Sequence, residues 1–376
     1  MTVPARPPSV RFEALDAWRG ICALLVALEH LNIESPLHHN ALVHHGYRFV
    51  DFFFVLSGFV IAHAYRERLR SGGGVRSFLL RRLGRLWPLH VVMLLAFIAF
   101  DGAMLLATHF HFVAASATFS ERNTLSSIPA NLLLVQSWGF LDHSSWNVPS
   151  WSISAEVFAY SVFALICARV PARWLDPVFA AILVGAAATL GFAIPFGMKA
   201  TYDYGLVRCL FGFMAGVLVR HLHGIRPLRV GTLGEIGAIV AALAAVMVLP
   251  YDQPALLVTP VFAFVVWVFA SEDGAVSRWL RVRWMQQLGK WSYSIYMVHA
   301  WLVLALLAAA MIATKYGLPV FARVDHIATL VGPAAFCTPL CIAYLLLVVV
   351  TARFTYQNVE LRGQRWMQRY LDRRPR

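Results

Sequence analysis

Ten long apolar runs divide this sequence, and no other feature constrains its fold so strongly. They occupy 16–33, 47–65, 86–107, 150–168, 177–195, 204–219, 233–249, 254–270, 288–313 and 329–352. A helix crossing the hydrocarbon core needs ~20 mostly apolar residues. A chain in lipid must also satisfy its backbone groups internally, which favours helices. The sequence therefore predicts an all-α fold, a polytopic transmembrane helical bundle of about ten spans. An eleventh apolar stretch, 127–140, is short; it crosses, lies in the interface or re-enters.

Composition agrees. Hydrophobic residues make up 59% and charged residues 14%, against about 45–50% and about 25% in soluble domains. Mean hydropathy is +0.65. These values exclude an ordinary soluble protein and a disordered one. Five cysteines, all in apolar runs, read as small buried side chains rather than a disulfide framework.

The net charge of +13 raises the question of nucleic acid. Its distribution answers it. With ten spans, 26 of the 32 basic residues fall on the side of both termini and 6 on the other. If 127–140 also crossed, the split would be 14 against 18. Basic residues concentrate in cytoplasmic loops, so ten spans with cytoplasmic termini are expected, and no nucleic-acid partner. Residues 1–15 form a cytoplasmic N-terminal segment, 16–352 the membrane domain, and 353–376 a basic cytoplasmic tail. No cleavable signal peptide is expected.

Ionisable side chains at bilayer depth are costly and mark function. Arg19 and His30 are 11 residues apart, so they share one face of the first helix, ~16.5 Å apart along its axis. Asp16 can pair with Arg19 at i+3. Glu29 lies about 100° round from His30 and is expected to serve another contact. His30 is either a packing residue or a site residue. In the second span, Asp51 either orients His30 or caps the helix, and Ser57–Gly58 permits close packing. Arg82 and Arg85 share a face, suited either to phosphate or to membrane anchoring.

Glu156 sits at a depth similar to His30 and needs a partner or a proton. Trp146 and Trp151 suit an aromatic belt. Tyr293, Tyr296 and His299 recur on a drifting face, with His299 as a cavity wall or a core residue. The histidines of the outer loops, His38, His39, His44, His45, His109, His111 and His143, read as solvated; no metal is expected.

LDAWRGICALLVALEH, VDFFFVLSGFVI, RRLGRLWPLH, WSISAE, RCLFGFMAGVL and SYSIYMVH follow one another in order. This series resembles the integral-membrane acyltransferase-3 family, the bacterial O-acetyltransferases of surface polysaccharides and related acceptors. The resemblance runs from residue 11 to about residue 360. It implies an O-acyltransferase that moves an acyl group, chiefly acetyl, from cytoplasmic acetyl-CoA to a hydroxyl of a glycan or small molecule. It implies an Arg19–His30 pair, an RxxR-type motif at Arg82 and Arg85, and further polar positions at Asp51, Ser57 and Glu156.

The expected catalytic residues are His30, Glu156 and Asp51. Arg19, Arg82, Arg85 and Ser57 would bind acyl-CoA, and Trp151, Tyr296 and His299 would line the substrate pocket. Asp51 or Glu156 would orient His30 or stabilise its charged form. The sequence departs from the family at Glu29, where an aromatic residue is common, and after Glu360, where an E-x-P-like signature lacks its proline. The enzyme is expected in a bacterial inner membrane, acting directly on its acceptor or with a separate extracytoplasmic partner. A secondary transporter explains the spans and buried charges equally well, but predicts flux without acyl-CoA consumption. A scaffold in an export complex would tolerate replacement of His30.

Overall fold

The computed structural model describes residues 11–110, 123–194, 197–250 and 256–373. Arg6, His111, Arg122, Arg374 and Arg376 lie outside the described residues. Ten helices fall on the ten predicted runs: α1 (Glu13–Glu29), α2 (Phe49–Arg70), α3 (Val75–His109), α4 (Trp151–Arg169), α5 (Leu175–Ala188), α6 (Gly205–Ile225), α7 (Gly231–Val248), α8 (Val258–Phe269), α9 (Arg283–Lys315) and α10 (Ala334–Thr355). A further helix, α11 (Leu361–Asp372), follows a π-helical turn at Tyr356–Glu360.

Among the described residues, eight helices are long and apolar enough to cross a membrane. The other two runs make shorter helices, α1 of 17 residues and α8 of 12. Helix α1 ends at Glu29, and the chain beyond it joins other structure. Ile33 bridges to Leu330 in the hairpin β1 (Phe321–Val324) and β2 (Ile327–Leu330). Positive φ at Asp325 and His326 makes that hairpin's two-residue turn. In 127–140 only Ile128–Leu132 is α-helical, far too short to span.

Outward faces carry large apolar side chains; Phe192, for example, is 91% exposed. Such a surface suits lipid rather than water. Inside, glycines bring backbones together. A Cβ on Gly58 would overlap the Phe213 carbonyl, and one on Gly216 the Val55 carbonyl. Gly212 and Gly216 form a GxxxG pair on α6, the spacing that lets helices pack closely in membranes. Gly20 of α1 and Gly289 of α9 would likewise collide with the facing backbone if they carried a Cβ. This second contact places Arg19 beside the start of α9.

Helix α3 begins earlier than its apolar run. Residues 75–85, including the arginines, are helical, and Pro88 lies inside the helix. Proline leaves a helix turn without one bond and crowds the carbonyl four residues back, here that of Gly84. Gly363 of α11 packs against Pro88 and Gly84, and Met367 packs against Gly84.

Candidate active site

A cavity of about 110 Å³ lies between α1, α2, α3, α4 and α9, towards the arginine-rich end of the bundle. Arg19, Arg82 and Arg85 line it, together with Ser57, Glu156 and Tyr296. Sites for drug-sized ligands measure ~300–1,000 Å³, so this cavity takes a short chain and leaves a nucleotide outside.

The three guanidiniums differ in commitment. Arg19 donates Nε to Ser292 Oγ at 2.8 Å and a terminal nitrogen to the Gly289 carbonyl at 3.1 Å. Its expected pairing with Asp16 is present at 2.9 Å. Arg85 stands 3.6 Å from the carboxylate of Glu360, which is 1% exposed. Arg82 donates to Tyr65 Oη at 2.9 Å, and the Tyr65 ring lies under its guanidinium. The Nε of Arg82 is buried without a hydrogen-bond partner among the described residues. A buried unsatisfied donor is a place for a ligand atom.

On the facing wall, Tyr160 donates its hydroxyl to Glu156 at 2.6 Å. Ser57 then donates to Tyr160 at 3.1 Å. The helical spacing of Glu156 and Tyr160 (i, i+4) carried this pairing in the sequence.

His30 closes α1 at the other end of its stripe. Its Nδ1 stands 2.9 Å from the Val26 carbonyl and 2.6 Å from the Glu29 carboxylate. Both are acceptors, so Nδ1 carries a hydrogen. The His30 ring meets His299 edge-on, with centroids 4.8 Å apart. His299 is completely buried. Neither of its ring nitrogens has a well-formed hydrogen bond among the described residues. Its ring lies 5.6 Å from that of Tyr296, which lines the cavity. Tyr296 donates to the Pro149 carbonyl at 2.8 Å and meets the Ser152 hydroxyl at 2.8 Å.

Several expectations require correction. Asp51 does not touch His30; both of its oxygens accept from Arg208, at 2.8 and 2.9 Å. A buried carboxylate needs a cation, and Arg208 lies closer than any histidine. Glu156 is bonded to Tyr160 rather than to His30. Glu29 does contact His30, because its flexible side chain folds back over the helix end. Trp151 and His299 do not line the cavity. Trp151 packs over the Arg208 guanidinium, 5.2 Å from its carbon, and His299 lies behind Tyr296. His30 is also absent from the lining; its ring meets His299, whose ring in turn neighbours Tyr296 of the cavity wall.

Tyr160, Ser292 and Arg208 were not picked out from the sequence, and Glu360 only as the acid of a tail signature that lacks its proline. The signal for Arg208 was available: a lone arginine in LVRCLFGF needs an acid, and Asp51 is an unpaired acid in another span. Among the described residues, no three His, Cys, Asp or Glu side chains converge to hold a metal.

Residues 12–353 match the family model described as an acyltransferase domain. The acyltransferase MdmB of Streptomyces mycarofaciens is 26% identical over 333 residues, covering 78% of this chain and 79% of that protein. Protein 2 in the picA locus of Rhizobium radiobacter is 40% identical over 91 residues, covering 24% of this chain and 46% of that protein. No solved structure gives a significant match. The extent of the family match, on a bundle of membrane-type helices, establishes that this chain belongs to the acyltransferase-3 family and is an O-acyltransferase.

Proposed function

We propose that the protein takes an acyl group, acetyl in the first instance, from acyl-CoA on the cytoplasmic side. It passes that group to a hydroxyl of a glycan or small-molecule acceptor on the other side of a bacterial inner membrane. One observation carries this reading. A cavity lined by an arginine whose Nε is unpartnered among the described residues stops one helical turn short of two touching imidazoles.

In this reading the nucleotide rests on the arginine-rich surface, where guanidiniums match phosphate geometry. Arg82, with its spare Nε–H, makes the first contact, and Arg85 follows. The small cavity admits the thioester end alone. Rotation of Tyr296 opens the way to His30. Nε2 of His30 accepts the proton of the acceptor hydroxyl while that oxygen attacks the thioester carbonyl. The carbon–sulfur bond breaks, and the CoA thiolate leaves and takes up the proton. Glu29 holds the imidazole in the required tautomer and offsets its transient positive charge. His299 supplies a second imidazole that binds the incoming oxygen.

Thiol release from acetyl-CoA by the purified protein in lipid nanodiscs tests the proposal. Release should require an acceptor and stop in His30→Ala, with acetyl-CoA binding retained. Near-normal release by His30→Ala would remove His30 from the reaction.

A further inference from the structure

A second, larger cavity of about 590 Å³ opens at the opposite end of α1 from the arginines. Its size falls in the range of sites for small organic ligands. It begins at Asn32, two residues past His30, and its walls are the loop 32–45 and the β1–β2 hairpin. The walls are braced. Glu34 N–H donates to the Leu330 carbonyl and Leu330 N–H to the Asn32 carbonyl, both at 2.9 Å. The Asn40 side chain caps the short helix Ala41–His44 at 3.0 Å. His38 donates Nε2–H to the main-chain carbonyl of Glu29 at 3.3 Å, so one wall is tied to the residue that contacts His30.

The electrostatics of this cavity are one-sided. Glu34 and Asp325 face it, and among the described residues no lysine or arginine lines it. His39 stands 3.5 Å from Glu34. Burial holds the His38 imidazole below its usual range. Burial, then the charge of Arg48, does the same to His45. Those two rings are therefore held towards their neutral form, which leaves Glu34 and Asp325 as the acidic groups of the lining, with His39 beside Glu34. The polar groups on offer are carboxylate oxygens, imidazole nitrogens and the Thr329 hydroxyl. Carboxylates accept hydrogen bonds from hydroxyl and ammonium groups, and they repel anions.

We propose that this vestibule binds the acyl acceptor and selects it by charge: it admits hydroxylated rings that are neutral or carry an amine, and it rejects acidic ones. The inference rests on the acyltransferase reading above for the use made of the ligand, but not for its binding. The histidine-rich loops then serve as a sorting surface ahead of His30, and the arginines at the far end serve the anionic donor.

Three methyl glycosides that differ at one position test this: methyl glucoside, methyl glucosaminide and methyl glucuronide. Binding of each to the protein in nanodiscs is measured by saturation-transfer NMR, and thiol release from saturating acetyl-CoA is measured separately. The glucuronide should bind at least about tenfold more weakly than the better of the other two. Glu34→Gln with Asp325→Asn, both at exposed or half-exposed sites, should bring the ratio close to one while leaving the KM for acetyl-CoA unchanged. Equal binding of all three by the unaltered protein, no binding of any, or an unchanged ratio in the double variant would overturn the proposal. Charge-ranked binding without thiol release would uphold the vestibule and count against the acyltransferase mechanism instead.

Discussion

Asp51 of α2 and Arg208 of α6 meet as a two-pronged pair, 2.8 and 2.9 Å apart, with each side chain only 2% exposed. The pair sits on the same two helices that Gly58 and Gly216 bring into backbone contact. It is therefore a fastening of the bundle beside the cavity, and its removal should act through the fold.

Replacing one partner strands the other in a buried place. Asp51→Ala or Arg208→Ala should lose about 3–5 kcal/mol of stability. Activity should fall in step with the amount of folded protein. Thermal unfolding in detergent, read beside activity per folded molecule, checks this. A well-folded, inactive Asp51→Asn would show that Asp51 acts on the chemistry after all.

Arg82 and Arg85 should respond differently. Among the described residues Arg82 has a spare donor and a neutral hydroxyl as its hydrogen-bond partner, so Arg82→Ala should raise the KM for acetyl-CoA about tenfold with little change in stability. Arg85→Ala also leaves Glu360 buried without its cation, and should lower stability by about 1–3 kcal/mol as well. Steady-state kinetics and melting temperature for the two variants separate the cases.

His299 offers a contrast between stability and function. A buried imidazole whose ring nitrogens lack a well-formed hydrogen bond among the described residues is a cost to the fold. His299→Phe fills similar space without that cost, so its melting temperature should match or exceed that of the unaltered protein. Its kcat should fall by about a hundredfold if the imidazole binds the incoming oxygen. Retained kcat would make His299 a packing residue.

Glu29 lies at 2.6 Å from His30 Nδ1. Glu29→Gln keeps its shape and removes its charge. The expected result is a fall in kcat of about tenfold with an unchanged KM for acetyl-CoA, because only the imidazole's charged form loses a partner. Glu29→Asp should recover part of the loss. A change confined to KM would place Glu29 in donor binding.

Close packing at Gly58 can be tested by size. Gly58→Val should disrupt the α2–α6 contact and lower the yield of folded protein, since backbone carbonyl stands where the side chain would go. Gly185→Ala, on an open face of α5 with nothing near its Cβ, should be tolerated. Size-exclusion profiles of the two variants give the comparison.

The apolar runs by themselves determined the class of fold, because lipid leaves a backbone few alternatives to the helix. The 3.6-residue period placed Arg82 with Arg85 on one face, and put Asp16 within reach of Arg19. The ordered motifs carried the family. Tertiary structure alone decided who partners whom across helices. Asp51 turned to Arg208, 157 residues away, and Glu360 came back from the end of the chain to Arg85. Such pairings depend on the order and rotation of helices around the bundle. A hydropathy pattern reports that a residue is buried in the membrane, but buried charges are satisfied by whichever opposite charge the packing brings nearest.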